Sequence, residues 1–379
     1  MKTRREFLKK SVKGGIAAII ASQVTPVFAI DTANQKTFNR IEHARGIHKK
    51  VLMIDGHNDT PVDGKSPFTW EKQNPPKAVD VQGMKEGGYN AGFYIVGDGP
   101  TSNVWVKMEQ TLQLIETHPK DLMNVFTSKD AVLTKEKKKI GVMISIEGIG
   151  PWLDGNIDTL KLFHRLGIRL AGITHGEGGK EPKHLQGTIS AYRVCTKEER
   201  AEDYKNAVGL TPFGKEVLKA SNELGIVTDL SHINDKAFYD VLENSSLPPI
   251  MSHTNVFSLN NHSRSMTDDM IKALAAVKGV MGIVSPGINQ SSEQSSIDRF
   301  VEQICYVRDL AGIDYVGIAT HFSGASDNSL ILSDTSKYVL ITQSMLAHGL
   351  SEEDIKKVWG GNFLRILQKT IDSTVLKKK

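Results

Sequence analysis

Histidines and carboxylates follow several short apolar runs of this 379-residue chain, at the positions where buried strands would end. His57 and Asp59 come two residues apart after the apolar run 51–54, so an extended strand would point both side chains the same way. An imidazole and a carboxylate at one strand end supply half of a divalent-metal site. The later residues of this kind are Glu147, His175, His232, His253 and His321.

The apolar runs alternate with longer segments of helical periodicity, which is typical of repeated βα units around a parallel sheet. Eight such runs indicate a TIM-like (β/α)8 barrel, with residues 30–379 as a single domain. The carboxyl ends of the strands lie on one face of such a barrel, so we expect the histidines and carboxylates to converge there. The predicted strands are 51–59, 91–96, 141–148, 168–175, 225–232, 249–254, 279–285 and 315–322.

Turn and capping signals between the runs support this alternation. Thr211 and Pro212 predict the start of a helix, and Gly225 predicts its end. Asp158 is expected to cap the helix before the fourth predicted strand, 168–175. The segment 176–200 begins Gly-rich, ends charged and is long for a βα connection, so we expect it to cover a substrate.

The carboxylate at the end of the third predicted strand needs a partner, because burying an unpaired carboxylate is costly. Two cations that share Glu147 would satisfy it, with His57 and Asp59 on one ion and His232 and His253 on the other. Imidazole and carboxylate ligands without nearby thiolates favour catalytic zinc, while manganese, cobalt and iron stay open. Any one of these histidines alone would more often be structural, and only the whole set predicts a metal centre.

The first 29 residues predict an export signal rather than part of the domain. Arg4 and Arg5 form a twin-arginine pattern, which precedes a short apolar stretch and small residues that end at Ala29. The apolar stretch is too short and too interrupted for a stable membrane span. We therefore expect export by the twin-arginine machinery, cleavage near Ala29 and a periplasmic location.

Removal of that segment changes the charge of the chain. The segment holds six Lys or Arg and one Glu, a net of +5, so the remaining chain carries −1 instead of the +4 of the full sequence. Nucleic-acid binding, which requires a clustered basic face, is not expected. Cys195 and Cys305 could pair in an oxidising compartment, but their spacing does not decide this.

The stretches around these residues resemble the membrane (renal) dipeptidase family of binuclear zinc hydrolases. The resemblance covers nearly all of the chain after the export signal and implies a TIM-type barrel, a small peptide-like substrate and a homodimer. The matching stretches, in chain order, are DGHND, VDVQGMKEGG, SIEG, ITH, GLTPFGKEVL, TDLSH, MSHTN, NHSRSMTDD and WGGNFLRIL.

The resemblance also implies a role for each matched residue. His175 matches a histidine that stabilises the tetrahedral oxyanion, and Arg264 matches an arginine that binds the carboxylate of the substrate. The implied reaction is attack on an amide by a metal-bridging hydroxide. The implied ligands of the two zinc ions, with Glu147 shared by both, are His57, Asp59, Glu147, His232 and His253.

The chain departs from the family pattern at the amine end of the site. The last strand of the family usually ends in Gly-Ser-Asp-Phe-Asp-Gly, whereas residues 319–324 here place His321 and Ser323 at the two acidic positions. The first Asp is expected to bind the amino group of the substrate and to move a proton. Neutral His can move protons but supplies no negative charge. The strand 282–286 lacks the usual Asn-Phe pair, and the loop after His175 reads Gly-Glu-Gly-Gly.

Three functions stay open on the sequence alone. Dipeptide hydrolysis is the family default, and hydrolysis of N-blocked or modified amino acids is the first alternative. The second alternative is a catalytically impaired, metal-binding relative that acts in the maturation of a peptide metabolite. The presence of Arg264 implies that the substrate has a free carboxylate in both hydrolytic functions. His321 is a candidate catalytic residue that could act as a proton donor, an extra ligand or a structural residue.

Overall fold

In the described part of the chain, nine short strands form one parallel sheet. The computed structural model describes residues 40–59, 81–98, 103–285, 287, 290–322, 331–332 and 335–374. The strands are β1 (Ile54–Asn58), β2 (Ala91–Asp98), β3 (Leu122–Asn124), β4 (Ile140–Glu147), β5 (Leu170–Gly172), β6 (Val227–Asp229), β7 (Ile250–Thr254), β8 (Val280–Val284) and β9 (Val316–Ala319). Eight of them follow the order β1-β2-β4-β5-β6-β7-β8-β9, and β3 pairs with β4 beside this path.

Backbone hydrogen bonds bring the end of the last strand back to the first, so the sheet is a nearly closed barrel. The N–H of His321 donates to the carbonyl of His57 at 3.0 Å, and the N–H of Asp59 donates to the carbonyl of Phe322 at 3.1 Å. The TIM-like (β/α)8 fold is therefore confirmed. All strands run in parallel, so their carboxyl ends share one face.

Helices follow the strands in the predicted alternation. None of the described helices has the length and apolar character that crossing a bilayer requires. Short 3-10 turns (Ile313–Tyr315, Thr335–Lys337) and π-helical turns (Lys357–Gly361, Gln368–Asp372) lie near the C-terminus. The α-helices are α1 (40–48), α2 (Val81–Glu86), α3 (Val104–Thr117), α4 (Ser128–Lys137), α5 (Gly150–Leu153), α6 (Ile157–Arg165), α7 (Lys197–Asn206), α8 (Pro212–Leu224), α9 (Asp235–Asn244), α10 (Asp268–Ala276), α11 (Glu293–Ala311), α12 (Val339–Ala347), α13 (Glu352–Lys356) and α14 (Asn362–Leu367).

The capping predictions have mixed outcomes. Thr211 caps α8, Pro212 is its first residue, and Gly225 ends it with φ of +78°, as the sequence predicts. The predicted cap Asp158 is wrong. The side chain of Asn156 accepts a hydrogen bond from the N–H of Asp158 at 2.9 Å, so Asn156 caps α6 and Asp158 lies in its first turn.

Each predicted strand overlaps an observed one, and several observed strands are shorter than predicted. The predicted strand 168–175 contains only Leu170–Gly172, because the chain leaves the sheet before the residues that project into the barrel mouth. β3 escapes prediction because its three residues make too short an apolar run to stand out. The connection 176–196 is irregular, as expected for a covering segment, and leads into α7.

Helix α14 inserts the ring of Phe363 into the barrel. A Cβ atom at Gly56 would lie 2.8 Å from the Phe363 ring, and one at Gly317 would lie 2.5 Å from it. Both positions therefore need glycine for the ring to enter. The ring packs with strand side chains that fill the interior, namely Ile54, Phe93, Met143, Leu170, Val227, Ile250 and Val280.

Some predictions concern residues outside the described ranges. These are the export signal 1–29, Asp80 in VDVQGMKEGG, Pro286 and Ser323. The two cysteines lie inside the described ranges, and both are free thiols: Cys195 is buried and Cys305 is half-buried.

A buried histidine joins α1 to the C-terminal part of the chain. His48 Nε2 donates to the carbonyl of Gly87 at 2.5 Å, because a carbonyl can only accept. In neutral His48, Nδ1 accepts from the hydroxyl of Thr342 at 2.8 Å, and Thr342 accepts from the indole N–H of Trp359 at 2.8 Å. Burial favours this neutral form. Burial lowers the pKa of His48, although the bond to Gly87 opposes this.

We expect His48 to make the fold sensitive to acid. Below its ordinary pKa of about 6.5, the unfolded chain takes up a proton that folded His48 resists, so stability falls as the pH drops. The free energy of unfolding should fall more steeply between pH 6.5 and pH 5 in the wild type than in His48→Gln, by at most about 1.4 kcal/mol per pH unit. Urea unfolding across this range measures both slopes. His43→Gln, on the exposed face of α1, is the control and should keep the wild-type slope; equal slopes in all three proteins would contradict the prediction.

Candidate metal centre

The barrel mouth brings together all seven histidines and carboxylates that the sequence places at strand ends. β1 and β7 contain two of them, β4 ends in a third, and the others lie within three residues of the ends of β1, β5, β6 and β9. These residues form three overlapping groups. Within each group, the candidate ligand atoms lie within 4.8 Å of one another. The groups are His57, His253 and His321; Glu147, His175 and His232; and His57, Asp59 and Glu147.

Glu147 lies at the centre of the first cluster. Its Oε1 is 2.7 Å from His232 Nε2 and 3.3 Å from His253 Nε2. The two Nε2 atoms are 2.9 Å apart. Three atoms that carry lone pairs therefore point into one small volume.

The second cluster surrounds Asp59. Its Oδ2 lies 3.6 Å from His57 Nε2 and 3.3 Å from His321 Nδ1. The ring of His57 is 3.9 Å from the ring of His253, measured between centroids, so the two clusters are contiguous. The five residues expected to bind metal form one continuous set.

Arg264 reaches into the same cluster. Its Nη2 lies 2.7 Å from His232 Nε2 and 2.8 Å from His253 Nε2. A guanidinium only donates, so both Nε2 atoms accept and both rings carry their proton on Nδ1. These nitrogens therefore have the tautomer that a metal ligand requires.

Tyr192, on the connection 176–196, contacts two members of this cluster. Its hydroxyl lies 2.5 Å from His232 Nδ1, and the guanidinium of Arg264 lies 5.4 Å from the centre of its ring. Tyr192 carries no sequence signal, because it lies in an irregular segment without a recognisable spacing. Only the folded connection places it beside the centre.

His175 stands at the open edge of the cluster. Its side chain is 35% exposed, and its Nε2 lies 3.8 Å from Glu147 Oε2. The loop that follows folds back so that Glu177 accepts a hydrogen bond from the N–H of His175 at 2.8 Å. The Gly-Glu-Gly-Gly loop thus fixes the main chain at His175 and leaves the imidazole accessible.

Several buried atoms of the centre have no hydrogen-bond partner, and this tests whether a metal fits. They are both ring nitrogens of His57, Oδ2 of Asp59, Oε1 of Glu147 and Nδ1 of His321. A buried polar atom without a partner costs about 1–3 kcal/mol. Nitrogen and carboxylate oxygen atoms gathered in this way fit a divalent cation, which would pair with all of them.

The electrostatics of the centre agree with this fit. Burial opposes protonation of His57, but the charges of Glu147 and Asp59 outweigh it and raise the pKa of His57 to about 9. Burial, followed by the charge of Arg264, lowers the pKa of His232 to about 3. A proton on His57 therefore balances the carboxylates, and a bound cation would replace that proton.

A buried carboxylate positions His253 from behind. Asp229 Oδ1 accepts from the N–H of Ser252 at 2.8 Å and from the hydroxyl of Ser231 at 3.0 Å. Its Oδ2 accepts from the hydroxyl of Ser252 at 2.7 Å. The Ser252 hydroxyl has then used its proton, so it accepts from Nδ1–H of His253 at 2.9 Å.

Asp55 has the corresponding place behind His57. Its Oδ1 accepts from the N–H of Thr320 at 2.8 Å and from the N–H of His57 at 3.2 Å. Its Oδ2 accepts from the Thr320 hydroxyl, from Asn58 at 3.3 Å and from the Tyr89 hydroxyl at 3.3 Å. One feature of the sequence could have identified both acids: each is an Asp two or three residues before a strand-end histidine.

The model of the membrane dipeptidase family (peptidase family M19) matches residues 41–378. This chain belongs to the membrane dipeptidase family. The resemblance found in the sequence is thereby confirmed. Peptidases of this family depend on metal, in agreement with the donor cluster at the barrel mouth.

Curated relatives within the family are moderately similar to this chain. It is 27% identical over 260 residues to dipeptidase tcpJ of Claviceps purpurea (strain 20.1), which covers 68% of this chain and 55% of that protein. It is 25% identical over 346 residues to dipeptidase 3 of Mus musculus, which covers 86% of this chain and 66% of that protein. The match thus spans between about half and two thirds of the length of these relatives.

A solved structure has the same fold. The metallo peptidase of Rhodobacter sphaeroides, liganded with a phosphinate mimic of the dipeptide L-Ala-D-Ala, superposes with a TM-score of 0.70. The superposition covers 84% of this chain and 99% of the other, at 21% sequence identity. The two proteins therefore share the barrel fold.

We expect Asp55→Asn to destabilise the protein strongly. The amide would turn an NH2 group towards hydrogen-bond donors that now meet a carboxylate oxygen, which should cost about 2–4 kcal/mol of unfolding free energy. Asp130→Asn, in the partly exposed capping box of α4, is the control and should cost about 1 kcal/mol or less. Denaturant unfolding of both variants gives the comparison, and equal losses would contradict this account of Asp55.

Proposed function

We propose that this protein is an exported, metal-dependent hydrolase that cleaves the amide bond of a dipeptide or similar small substrate with a free carboxylate. The observation that carries the proposal is the convergence of Glu147, His232 and His253, whose lone-pair atoms face one another at the barrel mouth. Membership of a dipeptidase family supports peptide-bond hydrolysis. The dipeptide mimic bound by the Rhodobacter protein supports a substrate of this size.

Two divalent cations, zinc before other metals, would be held by two ligand sets that share Glu147. His57 and Asp59 complete one set, and His232 and His253 complete the other. The bound metals supply Lewis acidity, which ionises water near neutral pH and polarises a scissile carbonyl. Nitrogen and oxygen ligands without thiolate favour a catalytic zinc.

Arg264 and His175 would bind the substrate. Arg264 now donates to His232 and His253, and once those nitrogens bind metal its guanidinium is free to pair with an anion. A planar guanidinium binds a carboxylate through two parallel hydrogen bonds, which suits the C-terminal carboxylate of a dipeptide. His175 is partly exposed beside Glu147 and would donate from Nε2 to the oxygen on which negative charge develops.

His321 supports a second substrate class. It places an imidazole, 3.3 Å from Asp59, at the strand end where the family pattern has a carboxylate. A neutral imidazole does not attract an ammonium group, so an N-blocked or modified amino acid would fit this end as well as a free dipeptide. A catalytically impaired relative that acts in peptide maturation would use the same metal and carboxylate contacts without turnover.

The location and assembly of the protein belong to the same proposal. Arg4 and Arg5, followed by the apolar stretch that ends at Ala29, support twin-arginine export to the periplasm. Residues 30–379 would then be a single domain with a net charge of −1, and a domain without net positive charge is not expected to bind nucleic acid. The homodimer is proposed on the family resemblance.

The proposal predicts about two metal ions per chain and metal-dependent amide hydrolysis. Metal analysis of the purified protein gives the first quantity. Hydrolysis is measured on free and N-acylated L,L- and L,D-dipeptides, each with a free or an amidated C-terminus. Cleavage should require the free carboxylate and stop on chelation. Cleavage of N-acylated substrates alone would assign the second substrate class, and two metals without any turnover would favour the maturation role.

The carboxylate contact has its own control in this assay. Arg264→Lys should lower kcat/KM for substrates with a free carboxylate by about tenfold or more, because the second hydrogen bond is lost. Arg193→Lys changes an exposed arginine of the connection 176–196, which pairs with Asp203, and should leave the constants unchanged. Equal cleavage of amidated and free substrates by the wild type would contradict the proposed role of Arg264.

Asp229 is expected to act on the metal through the tautomer of His253. In Asp229→Asn the new amide donates to the Ser252 hydroxyl, whose own proton then turns to His253 Nδ1 and moves the ring proton to Nε2. Metal affinity should fall about 10–100-fold, which competition with a chromophoric chelator measures. Asp354→Asn, in the exposed capping box of α13, is the control, and unchanged affinity in Asp229→Asn would refute the tautomer mechanism.

A further inference from the structure

We infer that His321 is a nitrogen ligand of the metal ion held by His57 and Asp59, an inference that rests on the proposed metal centre. That ion would then be bound by two imidazoles and two carboxylates, including the shared Glu147. A set with this much nitrogen favours zinc or cobalt over manganese or magnesium. His321 would thus belong to the metal centre itself rather than to the substrate wall.

The imidazole of His321 lies against the residues of this ligand set. Its Nδ1 is 3.3 Å from Asp59 Oδ2. Its ring centroid is 4.7 Å from that of His57 and 5.0 Å from that of His253. The candidate ligand atoms of the three histidines lie within 4.8 Å of one another, so they form a compact group of nitrogen donors.

The atoms that face each other here lack hydrogen-bond partners. Nδ1 of His321 and Oδ2 of Asp59 are both buried, and neither makes a hydrogen bond although they are 3.3 Å apart. An ion pair between these two side chains would align a proton between the two atoms and satisfy both. A cation bound by both atoms satisfies them without that alignment.

The main chain holds His321 in this place. Its N–H donates to the carbonyl of His57, and its φ of +56° lies in the left-handed region that residues other than glycine rarely adopt. Five non-glycine residues in the described ranges have positive φ, and three of them lie in exposed turns after helices. The other two are His232 and His321. A strained backbone persists where its surroundings fix it, and here both cases put an imidazole into the centre.

Cobalt(II) tests this inference because its visible absorption reports the ligands around it. The purified full-length protein is titrated with cobalt(II) against a chelator, as wild type, His321→Ala, His321→Asp and His348→Gln. His321→Ala should bind one of the two ions more than about 100-fold more weakly, beyond the loss typical of residues that only support a ligand, and its spectrum should change. His321→Asp should keep both ions with a shifted band, since oxygen replaces nitrogen.

His348, which caps α12 away from the centre, is the control, and His348→Gln should match the wild type. His321→Gln replaces His321→Ala if circular dichroism shows that the alanine variant does not fold. If the wild type binds two ions and the His321 variants bind both equally tightly with an unchanged spectrum, the inference is wrong and the proposed metal centre stands. If the wild type binds no ion, the proposed function fails as well, so the two failures are distinguishable.

Discussion

Two fully buried carboxylates, Asp55 and Asp229, hold the strand ends together, and the geometry of the centre depends on them. Asp55 joins β1 to the residue after β9 through Thr320, which helps to close the barrel. Asp229 joins β6 to β7 through Ser252. Each acid comes shortly before a histidine of the centre on the same chain segment. The hydrogen bonds that fix the sheet therefore also position the main chain at His57 and, through Ser252, the imidazole of His253.

The centre brings together buried groups that repel one another and that have lost their contact with water. Glu147 and Asp59 are charged, and the imidazole nitrogens beside them present lone pairs, so positive charge must come from nearby. The guanidinium of Arg264 supplies part of it, and the carboxylates raise the pKa of His57, which favours a proton there as well. Divalent cations would supply more charge in the same volume and release both groups. This exchange links metal binding to proton release and to the availability of Arg264 for a substrate.

The fold and the convergence of the candidate ligands were predictable because both follow from local pattern. Strand runs and strand-end residues can be read directly, and a parallel barrel then requires convergence on one face. The supporting contacts were not predictable in the same way. Asp55 meets Thr320 across 265 residues of sequence, and no local spacing encodes that contact. Tyr192 lies in an irregular connection, and β3 is too short to stand out from its surroundings.

Tyr192 also shows why the wall of the site and its metal ligands are not independent. Its hydroxyl accepts from Nδ1–H of His232, which keeps Nε2 free for metal, and its ring lies against Arg264. The strands and the residues just after them carry the candidate ligands, whereas the irregular connection 176–196 carries Tyr192. A change in that connection would therefore alter the surroundings of both His232 and Arg264. If these residues act as proposed, contacts that orient a metal ligand would also affect the selection of the substrate.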